Sequence, residues 1–203
     1  MTVNRSFPWP RLVFSRGRQA EPSGRPGPDR ARDDASARFR RLVLPHLDAA
    51  YGYARYLARD GAAAEDIVQE AFLHAWKGYS NCRGNEKSWL LAIVRNCFHD
   101  WAHTNKRFVI QADPLEQITL LAGDDEPEEL LLRALDMTML RDTITSLPEP
   151  FRETLVLREL EELSYREIAT LTGTPIGTVM SRLARARDML GKLLLDQNKG
   201  VLG

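Results

Sequence analysis

Hydrophobic positions recur with a helical period over most of the chain. Phe39, Leu42, Val43, Leu47, Ala50, Tyr51, Ala54 and Leu57 follow one another at three- and four-residue steps, and Asp60-Gly61 closes the run. This is the pattern of a helix with one buried face. A second helix is predicted from about Ala64 to Tyr79, a loop over Ser80–Asn85, and a third helix from about Ser88 to Lys106. Beyond residue 134 the period predicts helices at about Leu135–Leu147, Pro150–Leu160, Tyr165–Thr172 and Pro175–Leu195. No segment alternates with period two for long enough to predict a strand, and no repeat of fixed period is visible. The fold class expected is all-α: two small helical domains, residues 37–107 and 135–195, joined by a flexible acidic linker at 108–134.

The ends of the chain follow a different pattern. Residues 1–36 hold five prolines and three glycines with no sustained apolar period. They are expected to form a disordered arm or to reflect an upstream translation start. No apolar stretch with a cleavage site suggests a secretory signal. No stretch approaches the roughly 18 apolar residues of a membrane span. Residues 196–203 are expected to be a tail. Two cysteines, Cys82 and Cys97, are too few for a disulfide scaffold and are read as free thiols, with loop residue Cys82 the more reactive candidate.

Charge sharpens this division. Lys and Arg total 28, as do Asp and Glu, so formal net charge is zero. By segment, residues 1–76 carry +3 and 77–107 carry +4; residues 108–162 carry −10 and 163–192 carry +3. Two cationic modules flank an anionic middle, so overall neutrality does not exclude a nucleic-acid partner.

The carboxy-terminal module contains the most specific motif. Ser164-Tyr165-Arg166-Glu167 is a capping-box sequence, Gly173 stops the short helix, and Thr174-Pro175 opens the next. A helix, a tight glycine turn and a second helix make a helix-turn-helix signature. Val179, Leu183, Ala186 and Leu190 form the apolar stripe of the second helix, and Thr178, Ser181, Arg182 and Arg185 share another face. Hydroxyls followed one turn later by arginine suit a helix set end-first in a major groove, where arginine reads guanine. Arg187 and Lys192 lie further along as phosphate contacts.

In the amino-terminal module, the second helix sets a core stripe of Ile67, Val68, Ala71, Phe72, Ala75 and Trp76 against Asp66, Gln69, Glu70, Leu73, His74 and Lys77. The mixed stripe is a candidate partner-binding face, although acids near a helix start also complement its dipole. The third helix interleaves aromatic, amide and basic groups as in single-stranded DNA binding, with Trp89 and Trp101 expected in the core.

These residues together resemble a family. The string Ala64 to Trp76 resembles the clamp-binding helix of region 2 in extracytoplasmic-function (ECF) sigma factors of the sigma-70 family. Arg83-Gly84, Trp89-Leu90 and Ile93-Val94-Arg95-Asn96 through Asp100 resemble the promoter-melting part of that region. Leu147-Pro148 to Phe151-Arg152, Leu163 to Ala169 and Gly177 to Arg187 resemble region 4. His99, His103 and the Ser80–Glu86 loop depart from the usual pattern. The resemblance implies a bacterial, cytoplasmic protein that binds core RNA polymerase and directs promoter-specific initiation. It implies no enzyme activity, catalytic residue, cofactor, metal or membrane insertion. Asp66, Gln69, Glu70 and Leu73 would dock on polymerase. Asn81, Arg83, Asn96, His99, Asp100, Lys106 and Arg107 would hold the melted −10 strand. Thr178, Ser181, Arg182 and Arg185 would read the −35 duplex, and an anti-sigma factor is a candidate partner. An extended 27-residue linker would span up to ~90 Å, beyond the ~70 Å of two DNA turns.

Two other readings of the residues stay open at this point. One is a helix-turn-helix regulator acting without core binding, which leaves the Asp66–Leu73 stripe without a task. The other is a metal site at His99 and His103, one helical turn apart, for which no third ligand is evident.

Overall fold

The computed structural model describes residues 36–79, 82, 84–105 and 127–201, with backbone alone for 127–136 and 196–201. The expected arm up to residue 35 and the expected linker from 108 to 126 lie outside the described residues. Among the described residues there is no strand. Helices α1 (36–42), α2 (Leu47–Ala58), α3 (Gly61–Gly78) and α4 (Glu86–Thr104) make the amino-terminal domain. Helices α5 (Pro127–Ser146), α6 (Glu149–Leu155), α7 (Tyr165–Thr172) and α8 (Ile176–Val201) make the carboxy-terminal one.

Where these bounds depart from the periodicity, capping and proline chemistry explain most of the difference. The first predicted run is broken between α1 and α2 by a 3₁₀ turn, Leu44–His46, with Pro45 in its opening positions. Proline lacks the amide a helix interior needs but is tolerated in a first turn. Helix α3 begins three residues before the predicted Ala64 because extended Asp60 caps it: its carboxylate accepts from the Ala63 amide at 2.6 Å. Asn85 likewise caps α4, accepting from the Ser88 amide at 3.1 Å, so that helix starts at Glu86. Helix α5 starts at Pro127, within the stretch expected as linker, with proline at the first position where its missing amide costs nothing. Helix α8 continues to Val201, into the expected tail. The predicted helix 150–160 is α6 followed by a π turn, Val156–Leu160, and Glu162 then turns the chain at φ 57°.

Tyr53, Ala54, Ile67, Ala71, Leu90, Leu91 and Val94 pack the amino-terminal domain; Leu147, Val156, Leu157, Leu163, Ile168, Val179, Leu183 and Ala186 pack the other. These side chains belong to one continuous apolar cluster running through both. The domains therefore lie against each other.

Candidate polymerase and nucleic-acid interfaces

Helix α3 turns its two faces as its periodicity requires. Ile67, Val68, Ala71 and Ala75 are buried, and Phe72 is half-buried. Asp66, Gln69, Glu70 and Leu73 are all exposed, Leu73 to 54%. Trp76 departs from the expected core stripe: it is 43% exposed, its ring edge-on to Phe39 at 5.1 Å and stacked on Tyr79 at 5.9 Å. At the end of the α3 stripe the core is too thin to cover an indole. Between α3 and α4 lies a cleft of about 350 Å³ whose walls include Asp66, Glu70, His74, Cys97 and Asp100. Asp100, expected beside the melted strand, thus shares a cleft with Asp66 and Glu70, the acids expected on the polymerase face. His74 Nε2 lies 2.8 Å from the Glu70 carboxylate.

Along α4, Asn96 and His99 are half-buried and Asp100 is exposed. Asn81, Arg83, Lys106 and Arg107 lie outside the described residues. Trp89 and Trp101 pack partly buried against the core. Burial, reinforced by Arg95, lowers the His99 pKa below its ordinary value and favours the neutral ring. Burial and Glu86 push the Cys82 thiol to about 11. Burial and Glu70 push Cys97 to about 12. Both are free, and as protonated thiols at neutral pH they are poor nucleophiles, Cys82 included. Among the described residues no group of three or more His, Cys, Asp or Glu side chains could hold a metal.

The helix-turn-helix is built as its motif requires. Ser164 Oγ accepts from the Glu167 amide at 3.3 Å, and the Ser164 amide donates to Glu167 Oε2 at 2.9 Å, closing the capping box. Gly173 occupies the left-handed region at φ 67°, where a side chain would be strained. Ile168 and Leu171 are buried and Ala169 half-buried. The Thr174 hydroxyl pairs with that of Thr172 at 2.8 Å, while the Thr178 and Val179 amides donate to the Pro175 carbonyl. Burying Val179, Leu183 and Ala186 leaves Ser181 and Arg185 exposed, with Thr178 and Arg182 half-buried beside them. Two expected phosphate contacts hold carboxylates instead: Arg187 reaches Glu159 at 2.6 Å and Lys192 reaches Asp188 at 2.8 Å. Both pairs are exposed and cheap to exchange for phosphate.

Between the domains lies a polar seam that periodicity does not reveal. Glu153 of α6, 3% exposed, accepts from the buried Tyr53 hydroxyl at 2.9 Å and from Arg95 Nε at 2.6 Å. Lys87 Nζ meets the Glu161 carboxylate at 2.8 Å and its backbone carbonyl at 3.0 Å. Asn85 Nδ2 donates to Glu167 Oε1 at 2.6 Å. Arg59, at φ 61°, donates to the Leu147 carbonyl at 3.2 Å, which also accepts from Arg152 at 2.7 Å. Both guanidiniums thus satisfy one carbonyl just past the end of α5, and Arg152 also reaches the Thr145 carbonyl in its last turn at 3.1 Å. Burial and the neighbouring Arg59 draw the Arg152 pKa down to about 10.

Similarity to known proteins follows the same two-part layout. Residues 42–108 match the family described as Sigma-70 region 2, and residues 137–190 match Sigma-70, region 4. The chain is 34% identical over 165 residues to the RNA polymerase sigma-H factor of Pseudomonas aeruginosa, covering 77% of this chain and 86% of that protein. It is 33% identical over 172 residues to the ECF RNA polymerase sigma factor SigE of Mycolicibacterium smegmatis, covering 84% and 67%. Its fold is similar to the sigma factor RpoE solved in complex with the anti-sigma factor NepR from Bartonella quintana. That match has a TM-score of 0.62 and 28% identity, over 77% of this chain and 96% of that one. The chain belongs to the ECF sigma factors of the sigma-70 family. It binds core RNA polymerase and directs promoter-specific initiation of transcription, and the reading as a regulator acting without core binding is not favoured.

Proposed function

We propose a division of labour by residue within this activity. Residues 37–107 act as the core-binding and −10 domain, with Asp66, Gln69, Glu70 and Leu73 docking on polymerase. The exposure of all four on one face of α3 is what supports this. Asn96, His99 and Asp100, with Asn81, Arg83, Lys106 and Arg107, hold the melted −10 strand. Residues 135–195 read the −35 duplex through Thr178, Ser181, Arg182 and Arg185. The observation that carries the reading is the outward array of Ser181 and Arg185 on a helix whose opposite stripe buries Val179, Leu183 and Ala186. The protein works in the bacterial cytoplasm as a promoter-selectivity subunit and not as a catalyst. An anti-sigma protein is its regulator in this reading, which the solved neighbour bound to one supports.

Two paired substitutions test this division. R182A/R185A removes two candidate base contacts, each worth about 1–3 kcal/mol. Promoter binding by the reconstituted holoenzyme is then expected to fall at least about tenfold, with core association unchanged. Q69A/E70A is expected to weaken core association in a pull-down while leaving −35 duplex binding by the free chain unchanged. Loss of both activities in either variant contradicts the division.

A further inference from the structure

Near the end of α3 two large apolar side chains face water side by side. Leu73 is 54% exposed and Trp76 43%, and residues three apart are neighbours on a helix surface. Phe39 of α1 meets the indole edge-on at 5.1 Å and Tyr79 stacks on it at 5.9 Å. The remainder of the ring stays open, as on a docking surface. Towards the start of the helix the same side carries exposed Asp66, Gln69 and Glu70, with Glu65 also exposed. The only lysine or arginine of α3 is Lys77, beyond the patch. This surface is apolar at one end and anionic at the other.

One stretch of the chain outside the described residues has the complementary pattern. Arg5-Ser6-Phe7-Pro8-Trp9-Pro10-Arg11-Leu12-Val13-Phe14 interleaves aromatic and aliphatic groups with arginine, and no acid occurs before Glu21. Phe7 and Trp9 each precede a proline, which biases a residue to extended backbone. Residues 15–35, between this stretch and α1, contain no aromatic residue and no Leu, Ile, Val or Met. Their composition is that of a tether, and at about 3.3 Å per residue it reaches up to ~70 Å. It joins α1 less than one turn before Phe39, whose ring touches the indole. A return of the chain to this patch is therefore a local event.

We propose that residues 7–14 dock on the exposed stripe of α3, with the Phe7 and Trp9 rings over Trp76 and Leu73 and with Arg11 on Glu70. The spacing agrees. Arg11 follows Trp9 by about 7 Å of extended chain, and Glu70 precedes Trp76 by about 9 Å of helix. An arginine side chain bridges that difference. The tether presents the segment at an effective concentration on the order of millimolar, so a contact too weak to hold a free peptide is occupied within the chain. Pairing of Arg11 with an exposed carboxylate adds little energy but fixes the register. Because the segment covers Leu73, it competes with core polymerase for α3. The proposal rests on the assignment of α3 to polymerase.

The test uses the full chain and core polymerase. With p-benzoyl-phenylalanine in place of Trp9, irradiation of dilute protein is expected to link that position to residues 69–79 of the same chain, read by mass spectrometry. F7A/W9A is expected to tighten core association about tenfold, the factor for a segment docked in about nine chains of ten. R11Q is expected to tighten it only about twofold to threefold, and R30Q/R32Q, in the tether, less than about twofold. In a W76A background F7A/W9A is expected to give no gain, a comparison that holds whatever W76A does to core binding by itself. Should W76A fail to fold, the photo-link and F7A/W9A still decide. Links confined to a second copy or to another part of the chain overturn the proposal. So does an F7A/W9A chain without gain, or a gain that survives W76A. Promoter binding weakened by F7A/W9A at unchanged core affinity would place the segment on DNA and overturn it too. If Q69A/E70A leaves core association intact, the assignment of α3 itself fails, and that result is distinguishable because the photo-link still forms.

Discussion

The two helices assigned to promoter DNA present their polar groups in opposite ways. On α8, Ser181 and Arg185 face water, and the nearest ion pair, Arg187 with Glu159, has side chains 55% and 43% exposed. On α4, Asn96 and His99 are half-buried and Arg95 is bound to a carboxylate 3% exposed. A short helix-turn-helix buries one stripe against its own partner helix and leaves the rest to solvent. Helix α4 is the inner helix of its domain, and its remaining face is the one on which the second domain rests. The same pairing of arginine with glutamate is therefore an incidental surface contact in one place and a structural joint in the other.

Double-mutant cycles sharpen this contrast most. Removing Glu153 by substitution with alanine leaves Arg95 and the Tyr53 hydroxyl without their acceptor, and a loss of about 3–5 kcal/mol is expected. Chemical denaturation of E153A, R95A and the double variant measures it, and a loss below that of a surface mutation would show that the joint is hydrated. Ser164→Ala, which breaks the capping box of α7, is expected to cost about 1 kcal/mol, read as a lower midpoint of thermal unfolding. Coupling between Arg187 and Glu159 is expected at only about 0.2–1 kcal/mol and to fade with added salt; a larger, salt-resistant value would remove the contrast with Glu153.

The smallest expected effect is a pH dependence that originates in one domain. The four histidines, at 46, 74, 99 and 103, all lie in the amino-terminal domain. Burial, with Arg95 for His99 and Lys87 for His46, holds both of these below the ordinary histidine value of 6.5. The unfolded chain then binds more protons between the folded and unfolded pKa values, so stability rises with pH through that window. Their contribution is complete above about 6.5 and is lost as the pH falls through the folded values. Denaturant midpoints are expected to drop between pH 7 and 5, and His99→Gln to flatten the drop; an unchanged slope in that variant would show that His99 is as hydrated when folded as when unfolded.

Much of this architecture was legible from residues that act locally. The capping box at Ser164–Glu167, the Gly173 turn and the buried stripe of α8 are decided within a few turns of chain, where spacing alone sets which side chains share a face. The exposed stripe of α3 was legible for the same reason. Periodicity places the starts of α3 and α4 late, after Gly61 and Glu86, because the cap lies outside the periodic run it initiates. Periodicity places Trp76 in the core because it reports direction and not how far the core extends.

The helical class, the two cationic modules and their family can be read along the chain, since period, charge and motif are properties of neighbouring residues. The partners of Glu153 come from the fold. Tyr53 is one hundred residues from it and Arg95 fifty-eight. No local spacing connects them, and one acid among many in an anionic segment becomes a joint between domains only when burial removes water as its alternative partner.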